Sequence, residues 1–131
     1  MIAQKRGVIV SLASMTGKVG SRANLPYNAS NAAVISMTKS LALAHAADGI
    51  RVNCVCPASW RPTCGRPSSK SSARCSSNYP RSSPPEPPPN PAGCMERPED
   101  VASVIGFLVS PRSACMTGQA LSVDGGLVMD V

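Results

Sequence analysis

Ser14 and Tyr27 are hydroxyl-bearing residues whose setting in this sequence suggests acid/base chemistry. Ser14 follows an apolar run that opens at Gly7, and Tyr27 stands where an alanine-rich segment begins, with a glycine-containing loop between them. A tyrosine phenol has a pKa of about 10, so it needs a nearby cation to exchange a proton near neutral pH. A serine and a tyrosine alone identify no reaction, so their meaning depends on the elements that position them.

The chain around these residues predicts strands and helices in alternation. The run at 8–13 is apolar and β-branched at its start, which is typical of a strand buried on both faces. Strand, helix and strand in this order imply a right-handed parallel β-α-β unit, so we expect adjacent parallel strands with one exposed edge. The predicted elements are a strand at 8–13, a helix at 27–47 that ends at Asp48-Gly49, a strand at 50–57, a helix from Pro98 to about Ser110 and a strand at 120–123.

Short motifs lie on these elements in a definite order. They are Ser14 after the first strand, Y-N-A-S-N at 27–31, I-R-V-N at 50–53, P-E-D-V-A at 98–102, T-G-Q at 117–119 and V-D-G-G at 123–126. Each motif alone is weak, but together, over residues 7–57 and 95–129, they resemble the short-chain dehydrogenase/reductase family. The resemblance implies an α/β fold, the C-terminal part of a Rossmann-type doubly wound parallel sheet. It also implies an oxidoreductase that interconverts an alcohol and a carbonyl by hydride transfer with NAD or NADP.

The resemblance assigns roles to individual residues. Tyr27 matches the general acid/base that exchanges a proton with the substrate oxygen, and Ser14 matches the hydroxyl that hydrogen-bonds the same oxygen. Asn31 stands where the family has a lysine; it can still hydrogen-bond a ribose hydroxyl but carries no charge. Pro57 and Ala58 stand where the family has Pro-Gly at its cofactor site, so Ala58 departs from the family's glycine, and we expect both to be cofactor-binding. The family's glycine-rich dinucleotide loop has no counterpart in these 131 residues, so we predict that they are inactive on their own.

Residues 58–94 differ in composition from the rest of the chain. They are rich in Ser and Pro and contain no Leu, Ile, Val, Phe or Met, so we predict disorder because nothing there offsets the entropy of ordering. A one-nucleotide shift of the reading frame just after Pro57 is compatible with the family's P-G-x-x-x-T pattern. We therefore interpret the tract as a frameshifted segment, with a genuine proline-rich insertion that binds a partner as the alternative.

The remaining features bear on partners and location. The predicted helix at 27–47 is apolar or small almost all round, which predicts a homo-oligomer through this helix. The excess basic charge is concentrated in the tract at 58–94 with few aromatics, which disfavours nucleic acid, and no run approaches the ~20 apolar residues of a membrane span. The cysteines lack metal-ligand spacing. We expect a cytoplasmic protein with a small-molecule substrate; the alternative is a non-catalytic binding or scaffolding protein that keeps the family's packing.

Overall fold

A parallel sheet carries two helices in the computed structural model of the chain, which describes residues 1–22, 24–58, 91–92 and 96–129. Its strands are β1 (Gly7–Leu12), β2 (Ile50–Pro57) and β3 (Ala120–Val123), hydrogen-bonded in the order β1-β2-β3. Helix α1 (Leu25–His45) joins β1 to β2, and helix α2 (Pro98–Val109) precedes β3. Short 3-10 helices lie at Ile2–Gln4, Met15–Gly17, Ala46–Asp48 and Pro111–Ser113. Neither α1 nor α2 is long and apolar enough to cross a membrane.

The predicted α/β fold with adjacent parallel strands is confirmed, and the predicted bounds of β2 and β3 agree with the structure. Helix α1 begins at Leu25, two residues earlier than predicted, because Pro26 suits the first turn of a helix, where no N–H bond is lost. The helix passes into a 3-10 turn after His45, and Gly49 ends that turn in the left-handed region at φ 67°. The disorder predicted for 58–94 concerns residues that lie, apart from Ala58, Pro91 and Ala92, outside the described part.

Strand β2 is the centre of the core, because both of its faces are covered. Toward α1, Cys54 packs with Ile35, and Val52 packs with Ala42. Cys54 and Val52 are fully buried. The burial of β2 on both faces accounts for its mostly apolar residues, with Arg51 and Asn53 as the polar exceptions.

The opposite face of β2 anchors the segment that leads from α2 to β3. Arg51 Nη1 donates to the backbone oxygen of Ser113 at 3.0 Å and to its hydroxyl at 2.9 Å. The fully buried Asn53 donates through Nδ2 to the Met116 carbonyl at 2.9 Å and accepts from the Gln119 N–H at 3.0 Å. The polar residues of the I-R-V-N motif therefore hold this connection in place, which aligns β3 beside β2.

Candidate active site

The candidate site lies at the edge of the sheet where β1 and β2 end. Ala13 and Ser14 follow β1, and Pro57 and Ala58 lie at the end of β2. The Ala13 N–H donates to the Val55 carbonyl at 2.8 Å, so the chain stays against the sheet as far as Ser14. In open α/β sheets the carboxyl ends of parallel strands are the usual place for ligands.

Ser14 is held by the turn that follows it. Its hydroxyl oxygen accepts hydrogen bonds from the backbone N–H of Thr16 at 3.3 Å and from the Thr16 hydroxyl at 3.1 Å. Ser14 is buried, with 6% of its surface exposed. No described residue accepts a hydrogen bond from Ser14, so its hydroxyl proton can be donated to a ligand.

Gly17 allows this turn to lie directly on α1. A Cβ atom at Gly17 would come within 2.8 Å of the backbone of Asn31 and of Ala32, closer than packed atoms approach. The contact lies about one helical turn after Tyr27. The glycine thus sets the position of the Ser14 turn relative to Tyr27.

The two hydroxyl residues line one cavity of about 340 Å³. Tyr27 is half exposed, at 54%, and stands at its mouth in the first turn of α1. The far wall comes from α2 and the residues before it. The lining residues are Leu12, Ala13, Ser14, Tyr27, Pro57, Ala58, Glu96, Arg97, Pro98, Val101, Ala102 and Ile105. The structure therefore brings together four of the five predicted site residues, namely Ser14, Tyr27, Pro57 and Ala58.

Asn31, the fifth predicted site residue, is not among the residues that line the cavity. Its amide Nδ2 donates to the Tyr27 carbonyl, one turn back in α1, at 2.9 Å. Asn31 is 9% exposed and packs under the Ser14 turn at Gly17. The Asn31 side chain is therefore bonded to the backbone of α1 at Tyr27. Its contact with a cofactor remains a prediction.

Comparison with known proteins identifies the family of this chain. A sequence model described as enoyl-(acyl carrier protein) reductase matches residues 1–128. The short-chain dehydrogenase fogB of Aspergillus ruber is 39% identical over 124 residues, which are 95% of this chain and 43% of that protein. The chain belongs to the short-chain dehydrogenase/reductase family. It spans about half the length of the curated relatives it matches.

Two solved structures share the fold of this chain. An oxidoreductase of the short-chain dehydrogenase/reductase family from Burkholderia thailandensis is 28% identical, with a TM-score of 0.74 over 98% of this chain and 47% of that one. A 4-hydroxyisoleucine dehydrogenase complexed with NADH and succinate is 25% identical, with a TM-score of 0.71 over 95% of this chain and 46% of that one. The Rossmann-type assignment made from the motifs is thereby confirmed.

One residue of the candidate site of this short-chain dehydrogenase/reductase, Glu96, was not predicted from the sequence. Its Oε2 accepts a hydrogen bond from the Ala58 N–H at 2.7 Å, although the two residues are 38 positions apart. The Ala58 N–H also points to the Val123 carbonyl at 3.3 Å. Nothing in the sequence pairs Glu96 with Ala58, because the Ser/Pro-rich tract separates them. The one sequence signal for Glu96 is its place two residues before the helix predicted from Pro98, which forms a wall of the cavity.

Glu96→Gln should stabilise the chain near neutral pH and lose this advantage in acid. Burial raises the pKa of the Glu96 carboxyl, and Asp124 and Asp100 raise it further, against the lowering effect of the Ala58 hydrogen bond. A carboxyl whose folded pKa exceeds its unfolded value favours folding below the unfolded pKa. That contribution is lost as pH rises through the folded pKa. Urea unfolding of both proteins between about pH 4 and pH 8 measures the difference.

The matched control for this comparison is Glu99→Gln, which removes an exposed carboxylate from the first turn of α2. Glu99→Gln should not raise the free energy of unfolding at neutral pH, because an anion in the first turn of a helix is favourable. A Glu96→Gln gap of equal size at both ends of the pH range would contradict the raised pKa of Glu96.

Proposed function

We propose that this short-chain dehydrogenase/reductase interconverts an alcohol and a carbonyl by NAD- or NADP-dependent hydride transfer, with Ser14 and Tyr27 at the reacting oxygen. The observation that carries the proposal is the shared cavity: both hydroxyls line it, at the carboxyl ends of β1 and β2. Ser14 donates a hydrogen bond to the substrate oxygen, and the Tyr27 phenol exchanges the proton. The dehydrogenase and reductase names of the matched relatives support this reaction class.

The cavity fits the reacting end of a nicotinamide cofactor. Its walls of Leu12, Val101 and Ile105 suit a flat ring, and its hydroxyls suit an oxygen beside that ring. When bound, the cofactor supplies or accepts the hydride. Pro57 and Ala58 would hold its ring end against the strand edge. The solved relative complexed with NADH supports a cofactor of this kind.

The test is a chimera of this chain and the 39%-identical relative. The relative supplies the N-terminal half and the segment that replaces residues 59–90 of this chain; all other residues come from this chain. The N-terminal half lies outside the 43% of the relative that this chain matches, and the second segment replaces the Ser/Pro-rich tract that we interpret as frameshifted. The chimera should change nicotinamide absorbance with at least one pair from a panel of alcohols and carbonyl compounds. If a folded chimera that binds NADH turned over none of the pairs, the proposal would be wrong.

Asn31→Lys should raise the turnover of the chimera at neutral pH and move its pH optimum down. Two unit charges 4 Å apart at an effective dielectric of 20 interact by about 4 kcal/mol. A lysine near Tyr27 therefore favours the ionised phenol, and part of that energy is enough for at least about a tenfold gain. The pH–rate profiles of the two forms give the answer. Identical optima and rates would mean that charge at position 31 is irrelevant to Tyr27.

A non-catalytic binding role is the second candidate, and the placement of Asn31 favours it. The amide is bonded to the helix backbone, and Arg97, the cationic residue of the cavity lining, is bonded to Asp100 at 3.4 Å. Under this alternative the chimera would bind NADH and stay inactive with Asn31, and only the Asn31→Lys form would turn over. The proline-rich interaction module falls on residues outside the described part.

We propose further that copies of the protein associate through α1. Its outer surface leaves Leu43 84% exposed and Met37 52% exposed, and we assign these apolar side chains to the contact between copies. Sedimentation should give an oligomer for the wild type and a monomer for Leu43→Glu. A wild-type monomer would contradict this part. We also propose that the protein is located in the cytoplasm, as expected from its sequence.

A further inference from the structure

Thr16 contacts the Ser14 hydroxyl with both its side chain and its backbone. Its Oγ1 donates to Ser14 Oγ at 3.1 Å, and its N–H donates to the same oxygen at 3.3 Å. A serine hydroxyl has one proton to donate and two lone pairs that accept. Both lone pairs of Ser14 are therefore occupied within the turn, while none of the residues that the structure describes accepts its proton. Ser14 is left as a donor only.

The turn keeps its shape through bonds that do not involve the Thr16 side chain. The Gly17 N–H donates to the Ser14 carbonyl at 3.0 Å, and the Lys18 N–H donates to the Met15 carbonyl at 2.9 Å. Gly17 also lies directly against the backbone of α1, which fixes the turn from the other side. The bond from the Thr16 hydroxyl to Ser14 therefore acts on the direction of the Ser14 hydroxyl and not on the path of the backbone.

A serine that can only donate has a defined chemical role at the cavity. Ser14 cannot take a proton from an alcohol, so it donates to a lone pair of the substrate oxygen, and proton exchange is left to Tyr27. A hydroxyl that accepts hydrogen bonds is polarised by them and becomes a stronger donor. The bond it donates gains most when the oxygen carries negative charge, as it does during hydride transfer to a carbonyl.

We propose that Thr16 is a positioning residue of this site, whose hydroxyl directs the Ser14 proton into the cavity and strengthens it as a donor to the reacting oxygen. Thr16 is not among the residues that line the cavity, so its effect passes through Ser14. The assignment rests on the proposed function for the identity of the acceptor oxygen. The direction of the Ser14 hydroxyl depends on the geometry of the turn alone.

The direction of the Ser14 side chain is tested in the full chain, without turnover. Three-bond NMR couplings between its α and β protons report whether it keeps a single rotamer. We expect one rotamer in the wild type and in Thr16→Ser, which keeps the hydroxyl. Thr16→Val keeps the branched shape without the hydroxyl and should give averaged couplings; Thr16→Ala makes the same test if the valine form does not fold. Averaged couplings in the wild type, or one unchanged rotamer in Thr16→Val, would overturn the proposal.

The effect on the reaction is measured in the chimera that carries Asn31→Lys. Thr16→Val should lower kcat about three- to tenfold, the range that one hydrogen bond contributes. KM should stay within about twofold, because the lost interaction strengthens mainly in the transition state. Thr16→Ser is the matched control and should stay within about twofold of the parent in both constants.

The same substitution in a Ser14→Ala background separates positioning from a purely structural role. A residue that acts through Ser14 has nothing to act on there, so the double variant should match Ser14→Ala alone within about twofold. A residue that only supports the turn would lower turnover again by the same factor. A repeated loss in the double variant, or undiminished turnover in Thr16→Val, would overturn the proposal.

The outcome is distinguishable from that of the proposed function. An active chimera that ignores Thr16→Val would remove the role of Thr16 and keep the oxidoreductase. A chimera that transfers no hydride, together with a Ser14 rotamer that depends on Thr16, would remove the proposed reaction and keep the positioning of Ser14.

Discussion

Tyr27→Phe should lower the turnover of the chimera carrying Asn31→Lys by about 100- to 10,000-fold, the range that a general acid/base contributes. The substitution removes one oxygen from a half-exposed ring that lines the cavity, and it leaves the ring, α1 and the cavity walls in place. Steady-state kinetics with the best alcohol/carbonyl pair from the panel measure the loss.

The control for this prediction is cofactor affinity. The phenol acts on a proton and contributes little to holding a dinucleotide, so NADH titration should give Kd values for the two forms within about twofold. Ser14→Ala should also lower turnover strongly, because the Ser14 proton is available to the substrate oxygen. Full activity in Tyr27→Phe would exclude Tyr27 as the acid/base, whatever the cofactor affinity.

Asn53→Ala should destabilise the chain by about 1–3 kcal/mol, since it removes a fully buried side chain that makes two hydrogen bonds. The Asn53 side chain joins the Met116 carbonyl to the Gln119 N–H at the fully buried centre of β2. A loss of this size is a substantial part of the roughly 5–15 kcal/mol that stabilises an ordinary domain, so the urea midpoint should fall clearly. Urea unfolding followed by circular dichroism measures it.

Gln119→Ala is the matched control, because it removes an amide from the same connection at an exposed position. Its side chain donates to the Thr117 carbonyl at 3.2 Å in solvent, so its loss should cost about 0.5 kcal/mol or less. Equal effects of the two substitutions would show that Asn53 does not anchor this segment.

The sheet could be predicted from the sequence because its signals are local. The run from Ile50 to Pro57 is mostly apolar, and the predicted bounds of β2 agree with the structure. Its polar exceptions, Arg51 and Asn53, could be read as family markers, but their bonds to Ser113 and Met116 join positions far apart in the chain. No periodicity encodes such pairs.

Residues of the candidate site could be predicted only where their own positions in the strand–helix pattern are sufficient. Ser14 and Tyr27 follow from their places at the end of a strand and the start of a helix, and the structure places them on one cavity. The direction of Asn31 could not be predicted, since an asparagine within a helix can bond the carbonyl four residues back or turn outward. Glu96 could not be found because its partner Ala58 lies across the Ser/Pro-rich tract.

Hydride transfer at the Ser14–Tyr27 cavity can be followed with an isotope-labelled cofactor. The chimera with Asn31→Lys is incubated with a carbonyl compound from the panel and a cofactor that carries deuterium at the transferable position of the reduced nicotinamide. Mass spectrometry then follows the label. We expect deuterium on the carbinol carbon of the product, and no such label in the product of Tyr27→Phe. Deuterium transfer at equal rates in both forms, or a product without label, would contradict this expectation.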